Sequence, residues 1–197
     1  MDVLNLENED YSFKEFEDCI GIVDYIGKST NVVIPDYIND KPVVAIFKNA
    51  FYKKGLTAVT LPNLVHTLGE DAFYTNELKE IIIPENLTNI QGGAFGRNNI
   101  EKIEFNSKIE SLPMFCFIGN ALKTLDLPAS LKFISNDCFA ENEFEELVIP
   151  EHVTDIIADC FGQNSKLKKV TLPAKFEGSI KSIFKGCDID NIEFNIV

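Results

Sequence analysis

The stretch LKEIIIPENLTNIQGGAFGRNN, residues 78–99, decides the fold. Its apolar positions are Leu78, Ile81, Ile83, Leu87, Ile90, Ala94 and Phe95. Ile81 and Ile83 alternate with Glu80 and Ile82, the period-two pattern of a short strand with one buried face. Pro84 ends that strand, because it has no N–H to give a ladder. The wider spacing that follows, through Leu87 and Ile90 to Ala94 and Phe95, predicts one or two tight helical or 3₁₀ turns on the opposite side. So short a unit cannot bury all these side chains by itself, so its neighbours must cover them.

Those neighbours are legible outward in both directions. Ile83-Pro84 recurs as Leu61-Pro62, Phe105-Asn106, Leu127-Pro128, Ile149-Pro150, Leu172-Pro173 and Phe194-Asn195, and a Phe follows eleven residues after each Pro position from 62 to 173, at Phe73, Phe95, Phe117, Phe139, Phe161 and Phe184. Phe51 opens the series one period earlier. Two independent markers in one phase establish an internal repeat of 22 to 23 residues. Stacking turns every apolar column into a continuous ladder and aligns the strands at about 4.8 Å in a parallel sheet along one face. Asn76, Asn98, Asn120, Asn142 and Asn164, three residues beyond each Phe, form a polar column among apolar ones. Asn tolerates left-handed backbone and bonds neighbouring peptide groups, so this column reads as a turn-capping ladder.

The phrase L-x-x-[IVL]-x-[IL]-P-x-x-[LIV]-x-x-[IL]-x-x-x-[AC]-F resembles the BspA-type leucine-rich repeat over residues 20 to 194. VVIPDYINDKPVVAIFKNAF (32–51) is similar to that family's first repeat, with an inserted turn at Asn39 to Val43. Phe105-Asn106 and Phe194-Asn195 depart from Leu-Pro, and the unit from Lys166 slips, with Ser179 where Ile is expected. The resemblance implies an α/β repeat fold, a right-handed β-α superhelix used for binding, often in bacterial surface proteins, without catalytic chemistry. One domain is expected over residues 1–197, with residues 1–30 as an N-terminal cap and the repeats in 31–197.

Function classes narrow further on composition. Eighteen Lys and Arg against thirty-one Asp and Glu leave a net charge of −13, which disfavours nucleic acid and anionic membranes as partners. The opening MDVLNLENEDYSF has no basic and no apolar signal region, and no stretch approaches a membrane span. The chain taken alone therefore reads as cytoplasmic, whereas the resemblance leans toward the cell surface. Five Cys is an odd number that argues against a disulfide framework. Cys116, Cys138 and Cys160 occupy the column held earlier by Ala50, Ala72 and Ala94, which predicts buried free thiols. No nucleotide-binding, hydrolase or metal motif occurs, and His66 and His152 fall in different columns four repeats apart. No enzyme activity, cofactor or metal is expected.

Charges on the strands carry the remaining information. The column Lys79, Glu101, Lys123, Glu145, Lys168, Asp190 alternates in sign, which favours the correct neighbour over a slipped one. The strand-centre column Val33, Thr60, Ile82, Glu104, Asp126, Val148, Thr171 and Glu193 lacks such pairing. Its first seven members are the predicted partner-binding row, suited to a protein or peptide with a basic centre that meets Glu104 and Asp126 on adjacent strands. A structural spacer and a carbohydrate-binding adhesion module are the alternatives. The apolar last strand IEFNIV, 192–197, further predicts a homodimer or end-to-end association through residues 189–197.

Overall fold

A computed structural model describes residues 5–197; the first four residues of the expected cap lie outside the described residues. In chain order the strands are β1 (Asn5–Glu7), β2 (Tyr11–Glu15), β3 (Ile20–Tyr25), β4 (Asn31–Val33), β5 (Tyr37–Ile38), β6 (Lys41–Ile46), β7 (Ala58–Thr60), β8 (Thr67–Leu68) and β9 (Glu80–Ile83). They continue as β10 (Asn89–Ile90), β11 (Lys102–Phe105), β12 (Ser111–Leu112), β13 (Phe133–Ile134), β14 (Glu146–Val148), β15 (Asp155–Ile156), β16 (Lys169–Leu172) and β17 (Glu193–Ile196). Together they build a parallel-sheet solenoid with few helices.

Every coil but the one at residues 123–128 contributes one strand to the sheet face, and that face is discontinuous: β4 pairs β7, β9 pairs β11, and β14, β16 and β17 form a third piece, all parallel. A second, narrow ladder runs along another side, where β6, β8 and β10 pair in parallel, followed by β12, β13 and β15. At the start of the chain β1, β2 and β3 are antiparallel, and β3 joins β6 in parallel. Tyr11 and Tyr25 from this segment pack on Phe51, Tyr25 stacking at 5.4 Å between ring centres. The inserted turn is a hairpin between β5 and β6. Asn39 and Asp40 at its tip have φ of 52° and 60°, the left-handed pair that a two-residue type I′ connection requires.

The turn side differs from the helical or 3₁₀ turns that the spacing predicts. Among the described residues helical backbone is confined to the last coils, as 3₁₀ turns at Ala174–Ser179 and Ile189–Asn191 and one α-turn, α1 (Ile180–Ile183). Elsewhere a left-handed residue stands two before each Phe, at Asn49, Asp71, Gly93, Phe115, Asp137 and Asp159, and another two after it, from Lys53 and Thr75 to Gln163. This alternation interrupts any helix and aims amides along the solenoid axis. Phe73, Phe95, Phe117 and Phe139 thus donate to Ala94, Cys116, Cys138 and Cys160 of the next coil at 2.8–2.9 Å.

Inside these turns the Phe rings form one stack, Phe51 to Phe184, with neighbouring centres 4.8 to 5.9 Å apart. Such pairs add about 0.5–1.5 kcal/mol each to the burial of the rings. The Asn column closes the turns as a polar ladder. Asn120 donates Nδ2 to the carbonyls of Phe95 and Phe117, both at 3.0 Å, and its Oδ1 accepts the Ile100 amide at 2.9 Å. Asn98 and Asn142 repeat the arrangement one coil to either side. All five Asn are buried, and each is satisfied by backbone of two coils. Where the column ends in Cys187, its Sγ still donates to the Phe161 carbonyl at 3.3 Å. Cys116, Cys138 and Cys160 are buried free thiols in the wall beside the rings, and burial pushes the Cys116 and Cys160 thiols well up.

The last coil corrects the repeat register. Val170 faces Phe194 and Leu172 faces Ile196, so Phe194-Asn195 is not the counterpart of Leu172-Pro173. The 3₁₀ turn at Ile189–Asn191 takes up the extra residues, and Asp190 lies in it rather than on a strand. Glu193 therefore stands beside Lys169, 3.8 Å from its Nζ, and Asn195 takes the place beside Thr171.

Candidate interaction surfaces

The predicted row on the sheet face falls into three groups. Val33 lies beside Thr60, Ile82 beside Glu104, and Val148 beside Thr171. Val33, Ile82 and Val148 are exposed, as are Thr60, Glu104 and Asp126, whereas Thr171 is half-buried. Asp126 does not stand on a strand next to Glu104: residues 123–128 form no ladder with either neighbour. Asp is a poor strand residue, and a ladder here would set its charge directly opposite Glu104, which is unfavourable. The acidic pair expected on adjacent strands is thus replaced by Glu104 against the apolar Ile82.

The ladder is also open between β7 and β9, and there the face holds a cleft of about 580 Å³. Thr60, Leu61 and Asn63 line one side, and Glu80, Ile82 and Glu85 line the other. Two members of the predicted row, Thr60 and Ile82, therefore share one recess. Of the alternating charges, Lys168 meets Glu145 at 3.1 Å, and outside that column Lys166 meets Glu143 at 3.1 Å, exposed pairs worth roughly 0.2–1 kcal/mol.

The larger recess, about 850 Å³, is on the turn side and is absent from the sequence reading. Tyr52, Tyr74, Arg97, Met114, Phe115 and Phe133 are among its lining residues. Tyr52 and Tyr74 stack at 6.1 Å, and the Tyr74 ring lies over Gly96, where any Cβ would collide with it. Arg97 passes over Gly119 to Glu141 with two hydrogen bonds, 2.5 and 3.0 Å long, and that carboxylate holds its guanidinium in the charged form. Lys48 is tied to Glu70 on the rim at 2.6 Å. Asp71 leans over Gly93 on the floor, and partial burial, then the Glu70 charge, pushes its carboxyl up.

A signal for this recess was present in the sequence. The column two before each Phe reads Asn49, Asp71, Gly93, Phe115, Asp137, Asp159, and Phe133 interrupts a polar column that includes Ser111 and Asp155. Each is an apolar exception at an outward position, and they stand on adjacent coils.

The family described as BspA type leucine rich repeat region matches the chain in six copies, over residues 44–161 and 99–196. The chain belongs to this family. Leucine-rich repeat proteins of this kind generally serve in protein binding or surface roles, as non-enzymatic binding or scaffold modules. Among solved structures, the chain is similar to a leucine-rich repeat protein of T. pallidum at 26% identity, with 98% of this chain and 82% of that one covered and a TM-score of 0.59. It is also similar to a leucine rich cell surface protein of Faecalibacterium prausnitzii, at 17% identity, 98% and 73% coverage and a TM-score of 0.43. No curated protein sequence matches it. Among the described residues no helix is long and apolar enough to cross a membrane.

Proposed function

We propose that this leucine-rich repeat chain is a protein- or peptide-binding module that meets its partner on the sheet face, at the cleft between β7 and β9. The carrying observation is that Thr60 and Ile82 line a recess where the ladder is open, with Glu80 and Glu85 around it and Glu104 on the next strand. An apolar anchor of the partner covers Ile82, whose outward position leaves it in water in the free chain. A Lys or Arg beside that anchor meets the carboxylates, and the net charge of −13 speeds its approach at low salt.

The experiment is site-specific photo-cross-linking in the source cells, with a benzophenone side chain at position 82 and, as control, at the exposed Thr88 away from the cleft. A discrete protein adduct from position 82, weakened by Glu104→Lys, is the expected result. Equal adducts from both positions, or an adduct indifferent to Glu104→Lys, would contradict the reading.

A further inference from the structure

We infer that the turn-side recess around Phe115 is a second docking site, for a partner segment in which an apolar side chain neighbours a Lys or Arg. Phe115 is held at φ 60°, a conformation that costs a bulky residue roughly 1–2 kcal/mol, at a turn position that neighbouring coils fill with Asp, Asn or Gly. That strained ring does not enter the core: it is 38% exposed, beside Met114 at 47% and near Phe133 at 37%. Three large apolar side chains left in water on adjacent coils form a patch, whereas isolated ones would call for no explanation. Gly92 and Gly93 keep the approach to Met114 and Asp71 open, since a Cβ at either would press on these residues.

Charge decides the chemistry of the occupant. The recess's cations are already engaged, Lys48 by Glu70 and Arg97 by Glu141. Asp71 forms no ion pair among the described residues, and Asp137 follows Phe115 on the next coil of the same column. What remains is a carboxylate outside any ion pair, which feels Lys48 only at longer range, about two coils, roughly 10 Å, from an apolar floor. A side chain of Leu or Phe fits the floor of Met114, Phe115, Ile118 and Phe133, and a basic neighbour reaches Asp71. The volume, about 850 Å³, is within the range of built ligand sites.

The chain has two methionines, Met1 and Met114, so methyl-labelled methionine places one NMR probe inside the recess. The ligands are the synthetic octapeptide GSKLLKSG and its controls GSELLESG and GSKSSKSG. The expected result is a saturable shift of the Met114 methyl with GSKLLKSG and a much weaker response to both controls. Asp71→Asn lowers the affinity roughly two- to fivefold, as for a partly exposed ion pair. Phe115→Asn lowers it about tenfold through lost apolar contact, with Tm unchanged or higher because Asn tolerates left-handed backbone. Glu104→Lys on the sheet face leaves it within about twofold, as a distant independent site should. No shift at Met114, equal response to GSELLESG, or a marked fall in Tm with Phe115→Asn, which would make that ring a packing residue, overturns the inference. Loss of peptide binding with Glu104→Lys but not with Asp71→Asn moves the site to the sheet face and overturns it too. Failure of cross-linking at position 82 tells only against the sheet-face reading.

Discussion

From Phe51 to Phe184 the turn side runs without interruption, ring on ring, while the sheet side breaks between β7 and β9 and again at residues 123–128. The two sides belong to the same coils and differ in how neighbouring coils are joined. On the turn side each coil is tied to the next by backbone amides, a stacked ring and a buried Asn whose polar contacts span both coils. On the sheet side ladder bonds act without such side-chain support, and a single unfavourable residue such as Asp126 coincides with a gap. Continuity of the solenoid thus rests on the turn side, which leaves the sheet face free to open into a cleft.

The largest expected effect concerns the thiols in the turn-side wall. Cys116, Cys138 and Cys160 become accessible only if that wall opens, so their reaction with a disulfide reagent at pH 8 should be about a thousandfold or more slower than that of the half-buried Cys19 and Cys187. The raised Cys116 and Cys160 thiols stay protonated at this pH, which acts in the same direction. Rapid modification of all five under native conditions would break the contrast between the sides.

Next in size are substitutions within the ladders. Phe117→Ala should cost about 3–5 kcal/mol in urea unfolding, because it empties the middle of the ring stack. Asn120→Leu should cost about 1–3 kcal/mol, since the buried Ile100 amide loses its acceptor while the carbonyls of Phe95 and Phe117 keep only the Asn98 and Asn142 donors. The smallest effect sharpens the comparison from the other side. Asp126→Thr removes the poor strand residue one repeat beyond Glu104, where the ladder is missing, and should leave stability within about 0.5 kcal/mol or raise it slightly. A loss above that, measured by the same unfolding curve, would mean that residues 123–128 are held by more than the ladder they lack.

Much of this was legible in residues 78–99 and their echoes. The columns of Leu78, Ile81, Ile83 and Phe95 report which positions face inward, and an Asn among them could only be a bonded turn residue. Apolar spacing does not report where the backbone amides go. That information resided in Asn49, Asp71, Gly93, Asp137 and Asp159, residue types that accept φ above zero, and it separates axial bonding from a helix. Register at β17 escaped the reading because a shift of two residues keeps Ile192, Phe194 and Ile196 on the inward side, and the preceding 3₁₀ turn, not the Phe-Asn dipeptide, decides which of them faces Leu172. Glu104 and Asp126 were correctly placed in water but not on neighbouring strands, since a pattern of exposure survives the loss of a ladder.

Native-state hydrogen exchange tests the account most directly. It predicts that the amides of Phe73, Phe95, Phe117 and Phe139 exchange only by global unfolding, while those of residues 123–128 exchange through local opening at far lower protection. Turn-side amides exchanging earlier than those of β9, β11, β14 and β16 would contradict it, and would place the continuity of the solenoid in its sheet.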